Sequence, residues 1–187
     1  MRRALRAAVA AAMLALSTRA GGQEAGAPAP ASDSRSHWAI LGGWGHTVPF
    51  VTAAETRTSL LLLAPQWSYR LGPVVEAVAE AHLAGYAGGA DGWFLGVAPL
   101  GFRFRVPDSP WRPYLALQAG LGWTDLDVIE IDRRFNFILM GGLGARPKGD
   151  DGPLSVEIRL VHYSNAGTVL PNYGLNSIAL VGGWRLR

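Results

Sequence analysis

From Leu154 to Leu160 the chain alternates strictly: Leu154, Val156, Ile158 and Leu160 fall on one face, and Ser155, Glu157 and Arg159 on the other. A period of two is that of a β-strand with one apolar side, and it is incompatible with a helix, whose faces recur every 3.6 residues. Segment 74–83 repeats the pattern, with Val75, Ala77, Ala79, Ala81 and Leu83 against Glu76, Glu80 and His82. Segment 92–106 sets Phe94, Leu100, Phe102 and Phe104 against Arg103 and Arg105. Strand character recurs over 37–45, 59–70, 74–85, 92–106, 111–123, 135–146, 153–165 and 175–187. Turn signals lie between, among them Leu71-Gly72-Pro73, Pro107-Asp108-Ser109-Pro110 and Lys148-Gly149-Asp150-Asp151-Gly152. Nothing has a sustained helical period, and no apolar run is long enough for a spanning helix. An even number of strands near ten residues each predicts an all-β fold, an eight-stranded antiparallel barrel.

Alternation alone does not say which face points outward, since a soluble lipocalin-like barrel in the periplasm alternates as well, with its apolar side inward. The charges favour the opposite phase. Glu76, Glu80 and Glu157 balance Arg103, Arg105 and Arg159 on the polar face, as a closed lumen requires because an unpaired ion there is costly. The chain holds one lysine, Lys148, whereas a solvated surface is usually rich in Lys and Glu. Trp38, Trp44, Trp67, Trp93, Trp111, Trp123 and Trp184 suit the two interfaces of a bilayer. The expectation is therefore a transmembrane β-barrel integral to the bacterial outer membrane. A mature chain that stayed soluble without detergent would indicate the lipocalin-like alternative.

The first twenty residues carry Arg2, Arg3 and Arg6, an apolar run from Ala7 to Leu16 and small residues around Ala20, the form of a secretory signal peptide. Residues 21–36, rich in Gly, Ala, Pro and Ser, read as a flexible leader, and 37–187 as the barrel. Absence of cysteine fits an exported chain held together without disulfides. Seventeen basic residues less Arg2, Arg3, Arg6 and Arg19 leave 13 against 14 acidic ones, which gives no case for nucleic-acid binding. Oligomeric state is not legible. With both ends of an eight-stranded barrel in the periplasm, the longer loops 46–58 and 124–134 face outward, and the seventh strand ends at the outer leaflet.

At that end lies His-Tyr-Ser-Asn-Ala-Gly, 162–167. His162 and Ser164 continue the apolar, lipid-facing phase. Same-face neighbours on a strand are about 6.5–7 Å apart at Cα, so an imidazole can reach the hydroxyl, as a base-activated serine nucleophile requires. Polar residues also gather at strand ends merely because headgroups and water are near. His37 and His46 read as solvated, and His82 as a hydrogen-bonding group of the lumen. No spacing of His, Cys or acids argues for a metal, and no cofactor is implied.

The run from Val161 to Ser177 resembles the C-terminal signature of the PagL-type lipid A 3-O-deacylases, through the block 162–167, Pro171-Asn172, Gly174 and the final strand. The resemblance implies a serine esterase that hydrolyses the ester-linked 3-O-acyl chain of lipid A, in lipopolysaccharide of the outer leaflet, at the outer wall of the barrel. It makes Ser164 the nucleophile and His162 the general base. Asn165, Gly167 and Asn172 would stabilise the oxyanion or shape the site. The family's third triad member is a glutamate where this chain has Asn176, which keeps the phase of Ile178 and Leu180 and so faces the side of His162. Either Asn176 orients the ring, or an acid of loop 124–134 (Asp125, Asp127, Glu130, Asp132) approaches from the strand-6 side. The first is favoured by phase and adjacency. The competing expectation is a barrel that kept the fold and lost activity.

Overall fold

The computed structural model describes residues 35–49, 56–131, 133–147, 152–170 and 172–186; the signal peptide expected over 1–20 and all but the end of the expected leader lie outside them. Eight strands follow in chain order: β1 (Ser36–Thr47), β2 (Ser59–Arg70), β3 (Val75–Ala87), β4 (Gly92–Arg105), β5 (Tyr114–Thr124), β6 (Phe135–Ala145), β7 (Leu154–Ser164) and β8 (Leu175–Arg185). Each pairs antiparallel with the next and β8 pairs with β1, closing the barrel so that no sheet edge is left open. β5 begins three residues later than expected, because Pro110 and Pro113 cannot donate to a ladder and Arg112 takes a positive φ of 38°.

The apolar phase faces out. Leu154, Val156 and Ile158 are exposed while Glu157 and Arg159 are buried, the arrangement a bilayer demands and the reverse of a lipocalin. The indole rings of Trp44, Trp93 and Trp123 ring one end; Trp38, Trp111 and Trp184 lie exposed near the other. One expectation fails here. Phe94 does not share the face of Leu100, Phe102 and Phe104: it is buried in the lumen, and Trp93, Leu95 and Val97 face outward instead. β4 carries an extra residue at Ala98-Pro99, seen as register shifts against both neighbours, and a bulge at a proline inverts the phase of everything beyond it.

The lumen is filled by an ion network. Glu76 binds Arg103 at 3.0 Å, Arg146 at 3.2 Å and Arg105 at 3.4 Å. Arg159 joins Glu80 at 2.8 Å and Glu157 at 2.7 Å, and Gln66 links Glu80 to Arg103. Arg146, just past β6, is a fourth arginine that alternation did not assign to the lumen. His37 is half-buried and bonded to Ser68 Oγ at 2.7 Å, so it is not the solvated group expected. Gly142 makes room for the network, since a Cβ there would collide with the Glu157 carboxylate. Removing one partner from such a network leaves buried charge uncompensated. Arg159→Met is expected to destabilise the barrel by about 3–5 kcal/mol, because Glu80 and Glu157 both lose their cation, read as a lowered urea midpoint for the heat-modifiable folded form.

The four connections at the tryptophan end Trp44–Trp93–Trp123 span 48–58, 88–91, 125–134 and 165–174; those at the other end span 71–74, 106–113 and 146–153. The 125–134 connection folds inward. Leu126 and Ile131 are buried in the same cluster as Phe94, Tyr163 and Leu175, so the barrel mouth is capped by its own loop.

Candidate active site

The end of β7 is set by its ladders. Leu139 of β6 pairs with His162 and Phe137 with Ser164, while Asn176 of β8 lies directly opposite His162. Cross-strand partners on one face come within about 4.5–5.5 Å at Cβ, and the side chains close that gap: His162 Nδ1 stands 2.8 Å from Asn176 Oδ1. With an amide oxygen as its partner, Nδ1 carries the proton and Nε2 keeps its lone pair. His162 and Ser164 are both half-buried on the outer wall. Tyr163, between them, points into the lumen. It is fully buried, stacks on Phe94 with centroids 4.0 Å apart and bonds His82 Nε2 through its hydroxyl at 2.6 Å. An inward anchor between two outward polar residues fixes where β7 sits against its neighbours.

Past Ser164 the chain curls through two left-handed residues, Ala166 (φ 55°) and Gly167 (φ 75°). The conformation is free for Gly167, whereas for Ala166 it costs of order 1 kcal/mol or more, strain of the kind that gathers at functional sites. Asn165 holds the curl. It is buried, its Oδ1 accepts the Gly167 N–H at 2.9 Å, its Nδ2 donates to the Val169 carbonyl at 3.1 Å, and its carbonyl accepts the Thr168 hydroxyl at 2.9 Å. Asn172 Oδ1 accepts the Asn165 N–H at 3.1 Å. The Ala166 N–H lies 3.4 Å from Ser164 Oγ. Among the described residues no hydrogen bond joins Ser164 to His162, and the ring is bonded to Asn176.

The residues singled out from the sequence are therefore brought together, with different duties. His162, Ser164 and Asn176 share one patch of the outer wall. Asn165 and the Gly167 N–H are used up inside the loop and shape it, whereas the Nδ2 of Asn172 has no partner among the described residues. Of the acids of loop 125–134, Asp125 accepts the Trp93 N–H at 2.6 Å and Glu130 is turned inward onto Thr56; Asp132 lies outside the described residues. Sequence reasoning missed one site residue. Gly174, at φ 72°, packs its bare Cα against the His162 ring, and a Cβ there would collide with Cε1 and lie 3.2 Å from both ring nitrogens. Its signal was its place in the family signature beside Pro171-Asn172, which gave it no role of its own. Gly174→Ala is expected to displace the ring and slow fluorophosphonate labelling of Ser164 by about 10²-fold, the usual effect of a 1 Å misplacement, with the barrel still heat-modifiable.

The model for the lipid A 3-O-deacylase (PagL) family matches residues 52–185. No curated protein sequence matches the chain. Among solved structures, the crystal structure of the outer membrane enzyme PagL superposes with a TM-score of 0.63 at 20% identity, covering 79% of this chain and 99% of that one. A designed transmembrane β-barrel (TM-score 0.49, 12% identity, 82% of this chain and 97% of that chain) is also similar. So is the N-terminal β-barrel domain of OprF from Pseudomonas aeruginosa (TM-score 0.47, 12% identity, 82% and 98%). At 20% identity the likeness to the PagL crystal structure speaks for the fold.

Proposed function

For a chain that belongs to the lipid A 3-O-deacylase (PagL) family, we propose hydrolysis of the 3-O-acyl ester of lipid A by a serine mechanism carried by Ser164, His162 and Asn176. The observation that carries the reading is the 2.8 Å contact of His162 Nδ1 with Asn176 on the apolar outer wall, one same-face step from Ser164. A site on that wall meets an acyl ester where it lies in the leaflet, with no need to extract the lipid. The longer loops at this end support its facing outward, as in bacterial barrels generally.

In this mechanism Ser164 Oγ attacks the ester carbonyl carbon as His162 Nε2 takes the hydroxyl proton, and Asn176 Oδ1 holds the Nδ1–H so that Nε2 faces the serine. The carbonyl oxygen becomes an oxyanion. The Ala166 N–H, weakly engaged at 3.4 Å, and the Asn172 Nδ2 are the donors available to it, with Asn172 oriented by the bond to Asn165 N. Collapse expels the sugar 3-oxygen, which receives the proton from His162, and leaves the acyl group on Ser164. Water from the membrane surface, deprotonated by the same His162, then releases the fatty acid and restores the serine.

The test is expression in a host with ordinary lipid A, followed by mass spectrometry of that lipid. Loss of one ester-linked 3-hydroxyacyl unit is expected. Unchanged lipid A from a correctly folded barrel would sink the reading and favour a barrel that kept only the fold.

A further inference from the structure

Glu130 is fully buried at the barrel mouth, and its carboxylate is tied across the cap. Oε1 accepts the Thr56 N–H and Oε2 the Thr56 hydroxyl, each at 2.8 Å, joining loop 125–134 to the returning limb of loop 48–58. That limb is fixed in turn to the end of β1, since Thr47 Oγ1 donates to the Thr56 carbonyl at 2.7 Å and accepts the Thr58 N–H at 2.9 Å. The main chain of the same residue reaches the third loop: the Glu130 carbonyl accepts the Gly174 N–H at 3.0 Å. Gly174 is the residue whose Cα abuts the His162 ring. The imidazole thus meets Asn176 through Nδ1 and Gly174 at its Cε1 edge, and Gly174 is in turn bonded to the Glu130 carbonyl.

A carboxylate is expensive to bury unless its oxygens are bonded. Apolar packing of Leu126 and Ile131 would cap the barrel without it, and would tolerate sliding of the loop. A two-point acceptor for Thr56 permits one register. Resting on the reading of His162 as general base, we propose that Glu130 is a positioning residue for it, clamping loops 48–58 and 125–134 together so that Gly174 holds the imidazole against Asn176.

The test uses the full-length folded barrel in detergent micelles with isotope-labelled histidine, the chain having four. Deacylation kcat and KM on lipid A, and ¹⁵N shifts of His162 assigned by its substitution, are compared across variants. Glu130→Ala is expected to lower kcat by about 10–10²-fold, the scale of a small misplacement, with little change in KM. The two His162 nitrogens should move from well-separated, single-tautomer shifts toward averaged ones. Glu130→Gln should restore both readouts, because its amide oxygen accepts the Thr56 N–H while its amide nitrogen donates to the Thr56 hydroxyl. Thr56→Val, which keeps the N–H contact alone, should fall between. A folded Glu130→Ala barrel with wild-type kcat and unmoved His162 signals overturns the proposal. Should that variant not fold, unmoved signals and kcat in Thr56→Val overturn it equally. If wild type neither deacylates nor labels at Ser164, the functional reading fails, and the His162 shifts still decide the coupling to Glu130.

Discussion

Ser164→Ala is expected to abolish deacylation. In serine proteases, loss of the nucleophile or of the base each costs about 10⁶ in kcat, and losing both costs no more, because the residues act as a unit. His162→Ala should therefore match Ser164→Ala, and the double variant should be no worse. The fold should be untouched, since the one hydrogen bond of Ser164 Oγ among the described residues is the long 3.4 Å approach of the Ala166 N–H. Folding, read by heat-modifiability, and activity, read by the mass of lipid A, are thus separable. A second His–Ser pair supplies the control. His46 Nδ1 lies 3.2 Å from Ser59 Oγ where β1 pairs with β2 at the same end of the barrel. It has the geometry of an activated hydroxyl without the left-handed turn that offers N–H donors after Ser164. Ser59→Ala is expected to retain activity and fluorophosphonate labelling. If labelling survives Ser164→Ala and disappears in Ser59→Ala, the nucleophile has been assigned to the wrong strand.

The contrast between those two pairs marks what alternation can and cannot reveal. Period-two patterning places His162 and Ser164 on the outer wall because β7 is unbroken from Leu154 to Ser164. A register of single steps then carries the same logic across to Asn176, and it fails at Phe94, where one extra residue at Pro99 reverses in from out. A strand reports its phase only as far as its next bulge. The ion network was visible as compensated charge on one phase, but Arg146 was hidden because it follows the last residue of β6 and its reach into the lumen is a property of a long side chain. The loops were least legible. Asn165 reads as a donor for an oxyanion, yet its amide is spent on Gly167 and Val169, a choice made by the turn that Ala166 and Gly167 impose. In the sequence Glu130 is one of four acids on an outward loop, with nothing to single it out. Its burial depends on Thr56, 74 residues away, a pairing that no local pattern encodes.

Asn176 carries the other large expected effect. An amide in place of a triad acid costs about 10⁴ in the serine-protease case, where it stabilises the wrong tautomer. Here the amide presents Oδ1 to Nδ1, so the tautomer is the productive one and the shortfall is confined to charge. A carboxylate about 4 Å from an imidazolium is worth up to about 4 kcal/mol at the effective dielectric near a protein surface. Part of that is offset by the cost of holding an anion on an apolar wall. Asn176→Asp, which preserves shape, is therefore expected to raise kcat by roughly 10–10²-fold, and Asn176→Glu to preserve or raise it. Asn176→Ala removes the orienting acceptor altogether and should lower kcat by a similar factor. An Asn176→Ala barrel with wild-type kcat would mean that another group orients His162. Equal rates for Asn176→Asp and wild type would mean that this site does not need the anion, its outer-wall geometry having already set the ring.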